Sequence, residues 1–472
     1  MPVNTPSKQY ENMLPRWQRC RDTFEGSDAV KGRGTRYLPA LESHATDASG
    51  YAAYVMRALF FNAMGRTVQG LAGGIFQKPP SINAPSSILD HTADITLGNR
   101  SLDMFALGAT EEVLVTGRHG VLVELPGEES AAARPYWVEY RAEDIISSRT
   151  ERRGGDEVLT LVVLKETVHE PDAEDPFVLK EITQYRVLGL GAVIDGGPDV
   201  YAQSVWRKRT DITGDEWIVT ETIIPTRRGE PLTFVPFVFL GSKSVSAKIE
   251  KPPLVDLADV NLSHYRGSAD HKHGLHQVAL PTPWVAGMKG GDDGEPLPLG
   301  SGVVWELDEN GKAGMLEFTG AGLDAIRQDM QDMQAMMATL GAKLLEEQPR
   351  VAETATAVGM RQSGEQATLR TIAQSVEQGL SMALQFHAWW VGTEATPADV
   401  EASVELNKDF LSVKASPEEV KALLLAWQSD AISFETLYFG LQGGEWARPG
   451  VSAEDELAAI RRGGGGTQVA AA

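Results

Sequence analysis

The sequence predicts an α+β fold, with runs of strands and long helices in different stretches of the chain. Three observations predict it. Between residues 113 and 241, β-branched and aromatic runs recur between clusters of Gly, Pro and Asp, with no helical period among them. Between residues 251 and 392, helical patterns flank a Gly- and Pro-rich stretch. At 472 residues, with 42% hydrophobic and 23% charged side chains, the chain exceeds one ordinary core and has globular composition.

The elements follow in order. About thirty N-terminal residues, closed by Gly32 and Gly34, read as an irregular arm. Residues 47–76 read as one helix. Asp47 or Ser49 caps it, Tyr51, Tyr54, Val55, Ala58, Leu59, Ala63, Val68 and Leu71 form its stripe, and Gly73, Gly74, Pro79 and Pro80 stop it. A second helix is predicted over 101–112. Residues 113–115 and 121–123, around a turn from Gly117 to Gly120, read as a hairpin. Strands are predicted over 158–166, 180–187, 200–206, 218–224 and 234–240; with no helices between them, they should pair antiparallel.

In the central segment, a polar helix is predicted over 253–271, opening on two prolines that suit a helix start. Residues 277–320 hold Pro281, Pro283, Pro296 and Pro298 with nine glycines, so this stretch is not helical. It carries two lysines against seven acids, and Trp284 and Trp305 on its strand-like flanks offer apolar anchors for a contact between subunits. Leu323, Ile326, Met330, Met333, Met337, Leu340 and Leu344 then alternate in steps of three and four, a narrow seam on a helix predicted over 321–347 and about 40 Å long. Methionines in such a seam favour an adaptable interface. The opposite side carries Asp324, Gln328, Gln331, Asp332 and Gln334, with Arg327 the one basic residue before Lys343. Pro349 breaks the helix. A further helix from about residue 357 has Leu369, Ile372, Val376, Leu380, Ala383 and Trp390 on one side. A returning strand is predicted over 404–411. Pro417 and the acids after it open two or three short helices that run to about Arg461, before a Gly-rich tail.

Charge and motifs narrow the function. The chain has 43 basic and 65 acidic side chains, a net charge of −22, which argues against a conventional nucleic-acid binder. Either the chain ignores nucleic acid or it lets nucleic acid pass without gripping it. Cys20 is the single cysteine, so neither an intrachain disulfide nor a thiolate zinc cluster forms, in keeping with a reducing cytosol. Residues 1–25 lack a signal-peptide core, and no apolar run reaches membrane-span length. There is no phosphate-binding loop: Gly241-Ser-Lys-Ser244 lacks the spacing and reads as a strand-ending turn, and Gly189-Leu-Gly191 has no helix after it. Zinc-protease and nucleophile-elbow motifs are absent. His264, His271, His273 and His276 cluster, but without a closing carboxylate pattern they read as decoration near a helix C-terminus. The expectation is a protein that is not an enzyme and uses neither cofactor nor metal.

Several runs resemble the portal proteins of tailed bacteriophages: Arg36-Tyr-Leu-Pro39, Tyr51-Ala-Ala-Tyr54, Phe60-Phe-Asn62, Gly65-Arg-Thr-Val68, Phe76-Gln-Lys-Pro-Pro80, Ala142-Glu-Asp-Ile145, His264-Tyr-Arg266 and Glu353-Thr-Ala-Thr-Ala357. The resemblance spans about residues 36–461. It implies a portal fold with an N-terminal arm and α/β wing (1–250), a first stem helix (251–276), a clip (277–320), a second stem helix (321–347), a tunnel loop (348–356), a long wing helix with returning strand (357–415) and a small helical crown with flexible tail (416–472). It further implies a homo-oligomeric ring, usually of twelve copies, at one capsid vertex of the virion, assembled in the bacterial cytoplasm. Double-stranded DNA is packaged through the ring by terminase and later ejected through it. Terminase large subunit, head–tail adaptor and tail proteins, and the major capsid and scaffolding proteins are the implied partners, with no membrane. Carried over by position, Gln348, Pro349, Arg350, Val351, Ala352 and Glu353 form the DNA-facing tunnel loop. The stem residues Asp324, Gln328, Gln331, Asp332 and Gln334 line the channel, and Trp284, Lys289, Asp292, Asp293, Glu295 and Trp305 dock terminase and adaptor. The alternatives are a head–tail connector or shell component without a packaging role and, further off, an acidic hydrolase.

Overall fold

The computed structural model describes residues 3–42, 47–125, 134–172, 175, 177–192, 199–209, 216–278, 282–288, 303–316, 321–341, 355–408, 417–429, 431–443, 446–447 and 451–462. The chain divides into a large unit, Met1–Leu406, and a small one, Asn407–Ala472.

The N-terminus is not an arm. Helix α1 spans Lys8–Glu25 and α2 spans Ser27–Gly32. Ser7 accepts from the Tyr10 amide and starts α1. Tyr10, Trp17 and Cys20 are buried on one face, and the Trp17 Nε1–H donates to the Thr116 carbonyl at 2.9 Å. Pro15 sits inside α1 on its exposed side, where the missing donor faces water. The polar composition and Pro15 hid a stripe that is only a few residues wide.

The helix predicted over 47–76 is two. Asp47 does cap α3, Ala48–Arg57, but Ala58 is extended and Asn62 restarts the chain as the cap of α4, Ala63–Ile75. Side chains of a later helix hold this break: Asn261 donates to the Phe61 carbonyl and accepts from the Met64 amide, and Ser268 accepts from the Leu59 amide. These contacts satisfy backbone groups that a continuous helix would have paired itself. Strand β1, Ser81–Asn83, follows.

Helix α5 covers Leu102–Thr116, one turn beyond its predicted end. The predicted hairpin is therefore half wrong, because Val113, Leu114 and Val115 form the last helical turn. Gly117, at φ 74°, closes α5 in the left-handed conformation that ordinary residues avoid. Strands β2 (Arg118–Glu124) and β3 (Tyr136–Arg141) come next, joined by a 3-10 turn, Ala142–Asp144, to a meander: β4 (Ile145–Arg153), β5 (Asp156–Pro171), β6 (Leu179–Ala192), β7 (Asp199–Lys208) and β8 (Trp217–Ile223). These five strands pair antiparallel in sequence order, as expected from consecutive strands; β4 was not predicted, β5, β6 and β7 are longer than predicted, and β8 has the predicted length. Tyr10 and Trp17 of α1 pack with Ile146, Val163 and Tyr185, which ties the N-terminus to this sheet. A two-residue pair, β9 (Thr226–Arg227) and β10 (Glu230–Pro231), precedes β11 (Phe237–Gly241). Strand β11 completes a second antiparallel sheet in the order β11-β2-β3.

Helix α6 (Val255–Val278), strands β12 (Thr282–Met288) and β13 (Leu307–Leu316), and helix α7 (Ala321–Leu340) follow. Helix α8, Ala355–Val391, has 37 residues. Its predicted stripe is buried: Leu369, Ile372, Val376, Leu380, Ala383 and Trp390 are each at most 7% exposed. Arg227 lies 4.1 Å over the Trp389 ring and donates to the Gly392 and Glu394 carbonyls, completing the C-terminal end of α8. The returning strand is β14, Ser403–Glu405, which pairs antiparallel with β1. It is shorter than predicted, and residues 409–411 lie outside the described ones. In the small unit three helices form, as the sequence suggested: α9 (Pro417–Gln428), α10 (Phe434–Gly443) and α11 (Ala453–Arg462).

A histidine pair joins α8 to the 3-10 turn Leu89–Ala93. His387 is fully buried, and its Nε2 lies 2.9 Å from His91 Nδ1. Burial, with neighbouring His91 and Arg134, pushes the His387 imidazole down to about 3. Burial, with Arg134, also lowers His91, against the pull of Asp90. Arg134 is itself paired with Asp94. Between the ordinary value and the lowered one the unfolded chain binds the extra proton, so stability is present above pH 6.5 and is lost as pH falls toward 3. We expect His387 to contribute a loss of about 2 kcal/mol between pH 7 and pH 5. Urea midpoints at both pH values should show a flatter dependence in His387→Gln than in the parent chain.

Candidate functional site

The segment that drew attention in the sequence folds as helix, strand pair, helix. Helix α6 extends to Val278, seven residues past the predicted His271, because Lys272, Leu275 and Gln277 continue the helix across Gly274, which packs against α7. One of its faces belongs to the large unit's core: Leu262, Tyr265 and Ala269 pack with Tyr37, Leu38, Tyr54 and Ala58. Asp270 accepts from the Tyr54 hydroxyl. The opposite face receives α7.

The two helices run antiparallel. Met330 and Met333 meet Gly267, Leu323 meets Gly274, and Gln334 reaches His264 at 3.0 Å. The two glycines are seven residues apart, one heptad, and leave room for the long side chains of the facing helix. The predicted seam is present. Leu323, Ile326, Met330, Met333 and Met337 are the shielded positions of α7, with Met337 only 1% exposed. Leu340 is 39% exposed, Met336 is 52% exposed, and Leu344 lies outside the described residues. Among the described residues α7 runs to Leu340, about 30 Å, with a turn at Gly341; residues 342–347 of the predicted helix lie outside the described ones.

The space at the two glycines differs. A Cβ on Gly267 would meet Met330 at 3.4 Å, ordinary contact, whereas one on Gly274 would lie 2.5 Å from Leu323 Cδ2. We expect Gly267→Ala to stabilise the protein by about 0.5–1 kcal/mol, since glycine weakens a helix interior. Gly274→Leu should lose about 1–3 kcal/mol by overpacking. Thermal melts of the two variants check the ordering.

The outer face of α7 is wet and acidic. Asp324, Gln328, Gln331, Asp332 and Gln334 are all exposed. Arg327 pairs with Asp324 at 3.0 Å and Gln328 donates to Asp332 at 3.1 Å, so the one cation of this helix is spent locally. Gln334 departs from the group, since its amide turns toward α6. Burial lowers His264 and keeps its ring neutral, so a bare ring nitrogen can accept that amide N–H. The other clustered histidines converge on no site. His273 packs edge-on against Tyr54 and contacts Gln277, and among the described residues no three His, Cys, Asp or Glu are placed to hold a metal ion.

Strands β12 and β13 pair antiparallel, with a register shift between Ala286 and Met288 and Trp284 opposite Gly314. The Trp284 indole lies where a Cβ on Gly314 would be 3.0 Å from Nε1, so glycine seats the ring. Trp284 is 43% exposed and Met315 56%, on opposite faces of a ribbon of only two strands, and Val304, before β13, is 86% exposed. Trp305 stands just before β13 and is half-buried. Lys289, Asp292, Asp293 and Glu295 lie outside the described residues, as do Gln348, Pro349, Arg350, Val351, Ala352 and Glu353. The glycines that receive the seam are what sequence reading missed; their seven-residue spacing was the available signal. No helix among the described residues is long and apolar enough to cross a membrane.

A domain family described as a domain of unknown function, DUF4055, matches residues 253–391, from the start of α6 to the end of α8. No curated protein matches the chain. Among solved structures, a chain from the virion of a native gene transfer agent particle is similar at 12% identity and TM-score 0.40, covering 83% of this chain and 92% of that one. A chain from the neck of the native particle, computed with C12 symmetry, is similar at 13% identity and TM-score 0.39, covering 80% and 89%. One from the neck of the empty particle, computed with C6 symmetry, is similar at 14% identity and TM-score 0.40, covering 81% and 90%.

Proposed function

We propose that this chain is a portal-type subunit of a phage-like particle, a non-catalytic protein that forms a ring through which double-stranded DNA enters and leaves a capsid. The observation that carries this reading is the construction of the α6–α7 pair. One face of α7 is committed to a glycine–methionine seam, and the other presents carboxylates and amides with its single arginine neutralised. Repeated around a ring, that face would give a lining with no cations free to neutralise phosphates. DNA binding strength grows with the phosphates neutralised, so such a lining lets DNA slide. The sequence resemblance to portal proteins points the same way.

In this reading the β12–β13 ribbon at the end of the helix pair is the docking rim. Exposed Trp284, Met315 and Val304 provide the apolar area that a terminase or adaptor would cover. Native mass spectrometry and electron-microscopy class averages of the purified chain, alone and with scaffolding and capsid proteins, test the proposal. A closed ring of several to a dozen copies with a central hole is expected. A chain that stays monomeric or dimeric even with those proteins present overturns it.

A further inference from the structure

Away from the helix pair, a cleft of ≈ 370 Å³ opens in the large unit between α1, α5, β2, β3 and the 3-10 turn Ala142–Asp144. Two arginines line it, and both are engaged. Arg100 donates to Glu139 at 2.8 Å, and Arg141 lies 3.9 Å from Glu112. Among the lining groups, the carboxylates of Glu111 and Asp144 have no hydrogen bond or ion pair, and the imidazole of His119 has no hydrogen bond. His119 is fully buried, both its ring nitrogens lack a hydrogen bond, and its nearest charged neighbour, Glu139, is 3.8 Å away.

What would these groups accept? Ionised carboxylates only accept hydrogen bonds, and a neutral imidazole offers one bare acceptor nitrogen. The unpaired acceptors of the cleft, two carboxylates and one imidazole nitrogen, therefore outnumber its one unpaired donor, the remaining N–H of His119. A metal ion does not fit, because among the described residues no three ligating groups are suitably placed. An anion does not fit either, since four carboxylates, Glu111, Glu112, Glu139 and Asp144, face two arginines already in use. The remaining class is an organic cation rich in N–H groups.

We propose that this cleft binds an alkylguanidinium or alkylammonium group, with Glu111 and Asp144 accepting its N–H bonds and His119 accepting one more at the floor. The titration behaviour agrees. Burial, with Glu143 nearby, raises Asp144 to about 6, and burial, with Glu112 nearby, raises Glu111. Burial also lowers His119 and keeps it an acceptor at neutral pH. A bound cation relieves both carboxylates. Such a group could come from a free polyamine or from a basic side chain of a second copy, and the test separates the two.

Agmatine, an alkylguanidinium with a terminal amine, is titrated into the full chain at low salt by calorimetry. Self-association is followed in parallel by sedimentation. Saturable binding by the parent chain is expected, weakened by about tenfold or more in Glu111→Gln/Asp144→Asn. Glu111→Gln alone, with a melt to confirm folding, should show a smaller loss and covers the case in which the double variant folds poorly. If agmatine binds and self-association is unchanged, the natural group is a free amine; if agmatine and the double substitution both reduce self-association, it is a side chain of a second copy. The proposal is overturned if agmatine neither binds nor changes self-association, or if the folded variants bind it as tightly as the parent chain.

Discussion

Replacing Arg21 with methionine should lower the stability of the large unit by about 3–5 kcal/mol, because removing one partner of a buried ion pair strands the other. Arg21 holds two carboxylates at once. It donates from Nη1 and Nη2 to Glu112 at 2.9 and 2.7 Å, and from Nε and Nη2 to Glu143 at 2.6 and 2.9 Å. The arginine side chain is 11% exposed and both glutamates 17%, so water offers little compensation. The contacts join α1 to α5 and to the turn before β4. Burial alone would push the Glu112 carboxyl up; the Arg21 hydrogen bonds and charge hold it below its usual range. The stabilisation is thus present above the ordinary carboxyl value and is lost as pH falls through the lowered one. Urea midpoints at pH 7 measure the effect. Adding Glu112→Gln and Glu143→Gln to Arg21→Met should recover part of the loss. A loss below about 1 kcal/mol, the range of exposed pairs, would show that the clamp is not desolvated.

The second large effect is at Trp17. Trp17→Ala removes a fully buried indole between Tyr10 and the β4–β5–β6 face, and should lose about 3–5 kcal/mol. Trp17→Phe keeps most of the ring but leaves the Thr116 carbonyl without its donor, and should lose about 1–3 kcal/mol. If residues 8–25 were a loosely attached arm, both changes would fall within about 0.5 kcal/mol of the parent chain. Chemical denaturation distinguishes the cases, and hydrogen exchange of the α1 amides gives an independent reading.

Where local pattern and tertiary demand agree, the sequence was readable. The α7 seam, the buried stripe of α8, the antiparallel meander and the three C-terminal helices all follow from periodicity, β-branched content and breakers. Reading failed where a distant residue decides. The break at residues 58–62 depends on Asn261 and Ser268, some two hundred positions away, and the one local signal is the cap residue Asn62. Val113–Val115 look like strand, yet packing keeps them in helix, since propensity is a weak prior against burial. Helix α1 was missed because its buried stripe runs through polar sequence interrupted by Pro15. Of the expected site, Asp324, Gln328, Gln331 and Asp332 share one exposed face, and Gln334 turned out to serve the contact with His264. The cleft around His119 was illegible for another reason: Glu111 and Asp144 are brought together only by α5 and the turn after β3.

The length of α8 has a mechanical consequence. Residues 369–390 are gripped by β2, β11, β14 and α5, and the C-terminal end is pinned by Arg227. The helix continues for fourteen further residues back to Ala355, a length of about 20 Å beyond the grip. It is a lever with its fulcrum in the sheet. A rotation of one degree within the grip swings Ala355 by about a third of an ångström, so a few degrees of repacking, small for a close-packed interior, become a stroke of about an ångström at the far end. The gearing works in both directions: a load applied at Ala355 is delivered, reduced in travel and multiplied in force, to the packing around Leu380 and Leu384.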